Sequence, residues 1–433
     1  MESPTFNITT LGCPVNQSDS DEVKSHLIAC GLVEARADHI ADIYIINSCI
    51  VTQSAARKTR KEAIRARKVN KEALICLMGC YGEMLKEELA SKVPELDLIV
   101  GTDNKSELLD YIIQHFDISV KDYDEDYYIS SKMRPVVKIQ EGCHHQCSYC
   151  IVTFARGKSK SKSPSHVLNQ VNRLLHSGYK EIILAGTNMG LYGKDLNEST
   201  SLEQLLDLLA TLSKDEYRIR LSSLEPMEIS DNILHLMAKH DSLCNHLYLP
   251  LQSGSDKVLT RMKRPYNRDD YARIVQKARK LMPNINIMAD LIVGFPGETE
   301  IDHQTTLDFI RELKLSDLHV FQYSNRPFTE ASQDRAQVRP DIIKKRANEA
   351  KSLGNELAQR FHQFNINKEL RVLIEKIGRH NNQLTLEGFS DNYCYVKCNV
   401  GVDQDYDGSL HKGEFIRVKG MDSHLWGING ALI

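Results

Sequence analysis

Three closely spaced cysteines form the most informative pattern in the chain. Cys143, Cys147 and Cys150 are separated by three and then by two residues. Thiolates at this spacing can hold three irons of a 4Fe–4S cube and leave the fourth iron open to another ligand. Metal sites with an open position are the ones that do chemistry. The alternative is a structural zinc site completed by His144 or His145, although this spacing is unusual for zinc.

A second set of three cysteines is dispersed through the first part of the chain. Cys13, Cys49 and Cys80 each come just after a predicted strand. The carboxyl ends of parallel strands meet at one edge of a doubly wound sheet, where such folds bind ligands. The following helices would point their N-termini at this edge and favour thiolates. Three buried free cysteines are the alternative, but their equivalent positions predict a second 4Fe–4S cluster.

Two basic runs would lie at the rim of this edge. One is on a predicted helix, where i, i+3 and i+4 spacing places the basic residues on one face, and the other follows the close cysteine triad. Such a run alone is more often a solvated surface, but two beside a predicted site favour contact with phosphates. The predicted RNA contacts are Arg57, Lys61, Arg65, Lys68, Arg156 and Lys158.

Alternating strand and helix patterns predict an α/β protein of three domains that position these residues. Residues 1–120 predict a doubly wound parallel sheet, with strands 6–11, 43–47, 73–78 and 96–100 and helices 16–30, 55–70, 82–93 and 105–116. An acidic stretch at 122–128 is interpreted as a solvated linker.

The rest of the chain predicts two further domains. Residues 130–365 hold six strand and helix units, which predict a partial (β/α)6 barrel with its site at the C-terminal ends of the strands. The six strands are 136–140, 181–185, 218–222, 246–251, 285–292 and 318–323, and a long helix covers 340–364. Residues 368–433 hold five short strands, which predict a small closed β-barrel of the kind that binds oligonucleotides.

The composition limits the class of protein. A length of 433 residues predicts more than one domain, and a net charge of −3 means that any nucleic-acid surface is a local patch. No secretory signal opens the chain and no run approaches the roughly 20 apolar residues that span a bilayer. We therefore expect a cytoplasmic protein without a membrane partner. Disulfides do not persist in that compartment, so clusters among the eleven cysteines are expected to bind metal.

The two cysteine sets, in this order, resemble those of the radical SAM methylthiotransferases, where SAM is S-adenosylmethionine. The likeness covers nearly the whole chain: a cluster domain, a radical SAM barrel and a C-terminal β-barrel called TRAM. Supporting stretches are residues 10–16 (TLGCPVN), 221–226 (LSSLEP), 249–255 (LPLQSGS) and 292–298 (IVGFPGE). The resemblance implies two 4Fe–4S clusters and two SAM molecules. One SAM provides the methyl group, and the other is cleaved to a 5′-deoxyadenosyl radical that takes a hydrogen atom from the substrate.

The resemblance also implies a SAM site at the strand ends. In this family an aromatic residue before the last cluster ligand lies near adenine, and the loop after the second strand contacts the SAM amino group. Capping or loop packing is the alternative role for each residue, and no catalytic residue is assigned beyond the cluster ligands. The predicted SAM contacts are Tyr149, Thr187, Asn188, Ser223, Glu225, Gln252, Gly294 and Phe295.

Further stretches look like the subgroup that acts on N6-threonylcarbamoyladenosine in tRNA. They are residues 47–52 (NSCIVT), 55–60 (AARKTR), 155–157 (ARG) and 318–324 (LHVFQYS). Pro14, where the subgroup has Lys, and Ala289 before Asp290, where it has Thr, depart from its pattern. The implied partners are the anticodon loop of tRNA, an electron donor such as a flavodoxin, and a sulfur source.

Three alternatives remain open at this stage. A related methylthiotransferase would act on isopentenyladenosine in tRNA, and another on an aspartate of a ribosomal protein. The alternative from a different class is a metal-containing RNA-binding protein without catalysis, which would need neither an open iron nor a SAM site.

Overall fold

The computed structural model describes residues 3–36, 39–118, 128–130, 132–196, 200–212, 216–380, 383–401 and 410–433. The predicted acidic linker lies outside the described residues except for Tyr128. The chain forms two compact units. Unit 1 is Met1–Leu174, Ala185–Thr187 and Ser324–Ser332, and unit 2 is Leu175–Leu184, Asn188–Tyr323 and Gln333–Ile433. The three predicted domains and their boundaries stay a prediction.

Unit 1 opens with a five-stranded sheet flanked by four helices. Its strands are β1 (Thr5–Thr10), β2 (Val33–Glu34), β3 (Ile43–Ser48), β4 (Leu74–Gly79) and β5 (Leu98–Ile99), and its helices are α1 (Pro14–Ala29), α2 (Gln53–Val69), α3 (Cys80–Lys92) and α4 (Lys105–His115). The strand order is β2-β1-β3-β4-β5 and all pairs are parallel. The predicted doubly wound parallel sheet is confirmed.

Both faces of this sheet are buried, which explains the continuous apolar run of β4. Ile75 and Leu77 pack into a core with α2 and α3, whereas Cys76 and Met78 pack into a core with α1 and α4. Successive residues of a strand point to opposite faces, so a strand covered on both sides needs apolar residues throughout. The sheet is therefore held rigidly between two helical layers.

The rest of unit 1 carries the close cysteine triad. It contains β6 (Val136–Glu141), α5 (Val152–Arg156), β7 (Lys160–Ser161) and most of α6 (Pro164–His176). Strands β6 and β7 pair antiparallel through Gln140 and Glu141. Between the end of β6 and the start of α5, a ten-residue loop holds the three cysteines. This loop and the edge of the parallel sheet therefore belong to the same unit.

Unit 2 contains parallel strands and the helices that connect them. Its strands are most of β8 (Glu181–Gly186), β9 (Arg218–Leu221), β10 (His246–Tyr248), β11 (Asn286–Val293) and β12 (Asp317–Gln322), and its helices are α7 (Leu202–Ala210), α8 (Asp231–Lys239), α9 (Asp256–Arg261), α10 (Arg268–Leu281), α11 (Glu300–Leu313) and α12 (Pro340–Phe364). Parallel ladders join β8 to β9 and β10 through β11 to β12, and a bridge between Ser223 and Tyr248 links the two groups. All six predicted strands, β6 included, are present.

The C-terminal part of unit 2 is a closed barrel of five strands. They are β13 (Glu369–His380), β14 (Gln383–Ser390), β15 (Tyr395–Gly401), β16 (Phe415–His424) and β17 (Gly427–Leu432), and the order around the barrel is β13-β14-β15-β17-β16. Alternate side chains such as Val372, Leu386, Cys398 and Val418 fill its interior. The predicted small closed β-barrel is confirmed.

A buried charge cluster anchors this barrel to β8 and β9 within unit 2. Glu181 accepts hydrogen bonds from Arg218 (2.7 Å) and Arg220 (2.6 Å), and all three side chains are buried. Arg218 also pairs with Asp391 of the barrel at 2.6 Å and donates to the carbonyl oxygen of Phe389. Breaking a buried pair leaves an uncompensated charge, so the cluster holds the barrel in one position. No helix in the described part of the chain is long and apolar enough to cross a membrane.

Candidate functional site

The dispersed cysteines lie at the carboxyl edge of three adjacent strands in unit 1. Cys13 caps the N-terminus of α1 three residues after β1, Cys49 follows β3 directly, and Cys80 is the first residue of α3 after β4. Because β1, β3 and β4 are neighbours, residues far apart in sequence are brought to one edge. The strand order reverses between β1 and β3, because β2 lies on one side of β1 and the later strands lie on the other. Doubly wound folds bind ligands at such a switch point.

Glycine at the end of β1 allows two of these cysteines to approach each other. Gly12 adopts a φ of +114°, and a Cβ built on it would lie 2.9 Å from Cβ of Cys49 and 3.2 Å from its Sγ. Gly79, before Cys80, has a φ of +94°, and its Cβ would lie 2.5 Å from Oδ1 of Asn47. Only glycine meets both the backbone and the steric requirement at these positions.

Two asparagines that the sequence analysis did not single out fix the cysteine loops. Asn16 donates from Nδ2 to the carbonyl oxygens of Leu11 (2.8 Å) and Ser48 (3.0 Å), which ties together the segments before Cys13 and Cys49. Asn47 donates to the carbonyl oxygen of Asn16 at 2.7 Å. Buried hydrogen bonds from the two amide nitrogens favour one geometry of these loops. Their position beside each cysteine in the TLGCPVN and NSC stretches is the signal that could have identified them.

Burial and repulsion between thiolates raise the pKa of two of the dispersed thiols, Cys49 and Cys80. Cys49 and Cys80 are buried, whereas Cys13 is exposed. Burial raises the pKa of Cys80 to about 12, and Cys13 and Cys49 add to the rise. Burial followed by the charge of Cys13 also raises the pKa of Cys49. At Cys49 and Cys80 burial therefore outweighs the expected effect of helix N-termini on the thiols, and iron binding there must displace protons.

The close triad forms a compact loop in the same unit. Cys143 donates its backbone N–H to the carbonyl oxygen of Gly157 (3.1 Å), and Cys150 donates to that of Cys147 (3.0 Å). The backbone N–H of His145 donates to Sγ of Cys143 at 3.4 Å. Burial, followed by the charges of Cys147 and Cys143, raises the pKa of Cys150 to about 12. The three thiols are thus close enough to influence one another.

The donor sets fit iron–sulfur cubes better than a single zinc ion. Within the described ranges, no three His, Cys, Asp or Glu side chains converge tightly enough to hold one metal ion. Of the two suggested fourth zinc ligands, His144 is exposed and His145 is half-buried. In a 4Fe–4S cube each cysteine binds its own iron, so the thiols stand further apart than the ligands of one ion. A donor set of three thiols is that of a cube with one open iron.

Arg156 lies in the interior of unit 1, so the prediction that it contacts RNA is wrong. Its side chain is almost fully buried and donates to Asn16 Oδ1 at 2.6 Å, Asp19 Oδ2 at 3.1 Å and Glu141. It also lies beside Cys80, whose pKa it lowers against the larger effect of burial. A guanidinium with this many buried acceptors is not available to a phosphate.

Asp19 is the centre of this buried charge cluster. It also accepts hydrogen bonds from Lys138 at 2.6 Å and from Lys105 at 3.1 Å. Burial alone would raise the pKa of Asp19, but Lys138, Lys105 and Arg156 hold it well below its usual range. The ionised carboxylate therefore joins β6, α4 and the segment after the close triad to the helix that follows Cys13.

The other predicted RNA contacts are exposed. On α2 the side chains of Ala56, Thr59, Ala63 and Ala66 are buried, and the opposite face is solvent-exposed and basic. Arg65 on this face forms an ion pair with Glu62 at 3.8 Å. A surface ion pair of this kind contributes little to stability. The predicted contacts with exposed side chains are Arg57, Lys61, Arg65, Lys68 and Lys158.

Most predicted SAM contacts in unit 2 follow the carboxyl ends of its parallel strands. Ser223 and Glu225 follow β9, Gln252 follows β10, and Asn188 follows β8. Gln252 has a φ of +62° and exchanges backbone hydrogen bonds with Asp290 and Ile292 of β11. Glu225 forms an ion pair with Arg264, and Asn188 donates to Glu228 at 3.0 Å. Glu225 and Asn188 are held in place by side chains that the sequence did not indicate.

Two predicted SAM contacts are used for packing. The N–H of Gly294 donates to Glu298 Oε2 at 2.6 Å. The ring of Phe295 is buried and meets the ring of Tyr323 edge-to-face, with centroids 5.7 Å apart. Both residues are buried in unit 2, and the prediction that the backbone of Gly294 and the ring of Phe295 flank adenine stays a prediction.

The remaining two predicted SAM contacts belong to unit 1. Tyr149 is half-buried in the loop of the close triad. The hydroxyl oxygen of Thr187 is buried and has no hydrogen-bond partner among the described residues. A buried polar atom without a partner is costly unless a ligand or water satisfies it. The residues present therefore fit a polar ligand at this position.

Two family models match the chain. The model of the radical SAM superfamily matches residues 137–310, and that of the uncharacterized protein family UPF0004 matches residues 5–101. The chain also resembles solved structures of radical SAM enzymes. TsrM from Kitasatospora setae, a radical S-adenosylmethionine methyltransferase, superposes with a TM-score of 0.56 at 13% identity, covering 76% of this chain and 77% of that chain. At this identity the likeness shows the fold.

Relatives of similar length extend over most of the chain. The threonylcarbamoyladenosine tRNA methylthiotransferase MtaB of Bacillus subtilis is 34% identical over 406 residues, which is 90% of each chain. The protein of the same name from Aquifex aeolicus is 35% identical, over 88% of this chain and 94% of that one. A tRNA-2-methylthio-N(6)-dimethylallyladenosine synthase of Clostridium botulinum is 33% identical over 86% of each chain. The radical SAM fold, the two thiol triads and this similarity show that the chain belongs to the radical SAM tRNA methylthiotransferases, transferases that use SAM and iron–sulfur clusters.

Proposed function

We propose that this enzyme adds a methylthio group to C2 of N6-threonylcarbamoyladenosine, beside the anticodon of tRNA. The observation that carries the proposal is the similarity to three relatives named as threonylcarbamoyladenosine tRNA methylthiotransferases, at 34–35% identity over 86–90% of this chain. Relatives named as dimethylallyladenosine synthases match at 31–33%. The stretches around Cys49 and Arg156 also favour the first group.

The two triads would divide the chemistry between them. Cys143, Cys147 and Cys150 would hold the cluster with the open iron, and Cys13, Cys49 and Cys80 would hold the second cluster. When bound, the first cluster with SAM supplies hydrogen-atom abstraction from the substrate carbon, and the second supplies the site of sulfur transfer. The buried loops around Cys49 and Cys80 exclude water from the second site, whereas the exposed Cys13 marks its open side.

Residues at the strand ends of unit 2 and residues of unit 1 are each proposed to contact SAM. Thr187, with its buried hydroxyl oxygen, is the side chain best placed to gain a hydrogen bond from a ligand. Glu225 pairs with Arg264 and would orient a ribose hydroxyl or an amino group. Gln252 and Ser223 complete the polar side chains of this edge, and Tyr149 would lie near adenine.

Contacts between basic side chains and phosphates would hold the tRNA. The exposed basic face of α2, together with Lys158, offers phosphate contacts, and the closed C-terminal barrel offers a second surface of a kind that binds oligonucleotides. We further propose a cytoplasmic location, an electron donor such as a flavodoxin, and a separate sulfur source. The proposed functional domains are residues 1–120, 130–365 and 368–433.

A comparison of substrates tests this proposal. The enzyme is reconstituted with iron and sulfide without oxygen and supplied with SAM and dithionite. Separate reactions receive tRNA carrying N6-threonylcarbamoyladenosine, tRNA carrying N6-dimethylallyladenosine, or a peptide with the ribosomal-protein aspartate, and the products are analysed by mass spectrometry. We expect one methylthio group in place of one hydrogen in the first tRNA alone. Modification of only the second tRNA or of the peptide would contradict the substrate, and absence of 5′-deoxyadenosine would contradict the chemistry.

A further inference from the structure

Two phenylalanines of unit 1 expose their rings side by side. Phe154 on α5 is 54% exposed and Phe328 in the segment Ser324–Ser332 is 58% exposed. Their ring centroids are 6.3 Å apart and the planes are inclined by 41°. Single exposed apolar residues are normal, but an adjacent pair of large exposed aromatics is typical of a binding surface.

The backbone of Phe328 is strained as well. Its φ is +68°, in the left-handed region that bulky residues rarely adopt because Cβ approaches the following carbonyl oxygen. Burial of the ring does not compensate for this strain, since most of the ring is in solvent. Strain that the fold maintains without a packing gain is typical of functional positions.

The segment that carries Phe328 is attached to both cysteine loops. Arg326 donates from Nη1 to the carbonyl oxygen of Ile50, next to Cys49, at 3.3 Å. Ala331 donates its N–H to the carbonyl oxygen of Ser148, next to Cys147, at 2.7 Å. Phe154 itself is only four residues after Cys150. The exposed pair therefore lies at the rim of the two thiol triads.

The same segment also meets the start of the basic helix. The N–H of Gln53, the first residue of α2, donates to Oγ of Ser324 at 3.2 Å, and Arg57 and Lys61 are exposed within the next turns. An aromatic surface beside exposed cations suits a single-stranded polyanion, because bases stack on aromatic rings while phosphates meet the cations. An enzyme that modifies a base must also take it out of its stack.

We propose that Phe154 and Phe328 form a stacking surface for an unpaired base of the tRNA anticodon loop, next to the adenosine that is modified. The proposal rests on tRNA as the substrate and adds two substrate-positioning residues. The rings replace the stacking that the loop loses when the target base is turned toward the clusters. This mode of binding suits single-stranded loops, whose bases can be splayed apart.

The variant Phe328→Gly distinguishes a loss of RNA affinity from a loss of folding stability. Glycine relieves the positive φ, so the variant should keep or raise the thermal midpoint of the wild type while it lacks the ring. Stacking of one base on an aromatic ring corresponds to an affinity change of roughly 5- to 150-fold. We expect this loss for an anticodon stem-loop titrated into the reconstituted enzyme and followed by fluorescence anisotropy. Phe154→Ala should weaken binding in the same range, and Phe328→Tyr, which keeps a ring, should bind like the wild type.

Two further readouts identify the contact as stacking. The slope of log affinity against log salt should not change in Phe328→Gly, because the ring neutralises no phosphate. A 2-aminopurine placed beside the target adenosine should be quenched by the wild type and brighter with the variant. Tyr111→Ala on α4 is the matched control, since Tyr111 is exposed in the same unit but lies on a helix that packs on the other face of the sheet.

The outcomes distinguish this proposal from the proposed function. Unchanged stem-loop affinity in a Phe154→Ala, Phe328→Gly double variant would overturn the stacking surface, even if the tRNA is modified normally. Unchanged RNA affinity with slower reduction by flavodoxin would overturn it in favour of a protein-docking surface. Failure of the wild type to modify threonylcarbamoyl tRNA that it binds would contradict the proposed function and leave the stacking result to be judged by binding alone.

Discussion

Arg156 donates a hydrogen bond to Oδ1 of Asn16 at 2.6 Å, and this contact joins the segment after the close cysteine triad to the helix that begins after Cys13. Asn16 in turn holds the loops of Cys13 and Cys49 through its Nδ2. One buried guanidinium therefore fixes the two thiol triads within a single rigid unit. The chemistry proposed for the enzyme needs such a fixed arrangement, because a radical formed near one cluster must meet a substrate presented at the other.

Replacement of Arg156 should destabilise unit 1 strongly. Arg156→Gln leaves Asp19 and Glu141 buried with fewer partners, and breaking a buried pair costs about 3–5 kcal/mol. Urea unfolding of the apo protein, followed by circular dichroism, measures the change. Lys160→Gln is the control, because the ion pair of Lys160 with Asp103 is on the surface and should contribute less than about 1 kcal/mol. Equal effects of the two substitutions would contradict the role of Arg156.

A matched pair of glycines tests the steric requirement of the second cluster site. Gly12 and Gly31 both have positive φ, but a Cβ on Gly12 would collide with Cys49 whereas the space around Gly31 is open. Gly31→Ala should cost about 1 kcal/mol for the backbone alone. Gly12→Ala should cost more and should also reduce the iron content, which is measured after reconstitution. Full iron occupancy in Gly12→Ala would show that the two cysteines can separate without loss of the cluster.

Cysteine variants should divide the activity in two. Cys147→Ala is expected to abolish SAM cleavage, whereas Cys49→Ala should retain 5′-deoxyadenosine formation and lose sulfur insertion. In each variant the iron content should fall from about eight to about four per chain, since each triad is proposed to hold one 4Fe–4S cluster. Cys30→Ser, a cysteine of the same unit outside both triads, should keep the full iron content. Loss of SAM cleavage in both alanine variants would refute the division.

The basic face of α2 should act through phosphates. Lys61→Gln and Arg65→Gln should each weaken tRNA binding and reduce the slope of log affinity against log salt by roughly 1. Lys280→Gln on α10, an exposed lysine of unit 2, should leave both quantities unchanged. Filter binding over a series of salt concentrations measures the slope. A weaker affinity with the wild-type slope would mean that these side chains do not neutralise phosphates.

The polar cluster of Tyr248, Asp290 and His319 in unit 2 should make stability depend on pH. The hydrogen bond to Asp290 raises the pKa of His319 above its ordinary value of 6.5, against the opposing effect of burial. A raised folded-state pKa adds stability that is complete below the unfolded pKa and is lost as the pH rises through the folded pKa. Because His319 is 48% exposed, the effect should not exceed about 1 kcal/mol.

Urea unfolding at several pH values tests this dependence. His319→Gln should destabilise the protein more below pH 6.5 than in alkaline solution. Asp290→Asn removes the carboxylate that contributes most to the raised pKa of His319, so on that background His319→Gln should no longer destabilise the protein more at acid pH by the same amount. A larger cost at alkaline pH in the wild-type background would have the wrong sign and would rule out the imidazolium as the stabilising form.

Local patterns were sufficient for much of the architecture. Helix α12 and the parallel strands followed from periodicity, because long amphipathic and apolar runs override weaker local preferences. The two residues of β2 were missed since so short a strand has no period to detect. The contacts of Gly294 with Glu298 and of Phe295 with Tyr323 were not predicted, because a strand-end position does not reveal whether a group already has a partner.

The sequence by itself determined the chemical capacity of the protein. Two sets of three thiols, one close and one dispersed, are evident from residue types and spacing, and so is the basic face of α2. Only the tertiary structure decided where the remaining groups act. The adjacency of β1, β3 and β4 brings Cys13, Cys49 and Cys80 to one edge.

The tertiary structure also decided which side chains are buried and which are exposed. Long-range contacts take Arg156 out of an apparently exposed basic run and bury it against Asn16 and Asp19. They also place Phe328 in a strained, exposed position beside Phe154. The physical reason is that spacing along the chain specifies which groups are present, whereas desolvation and partners depend on residues that are distant in sequence.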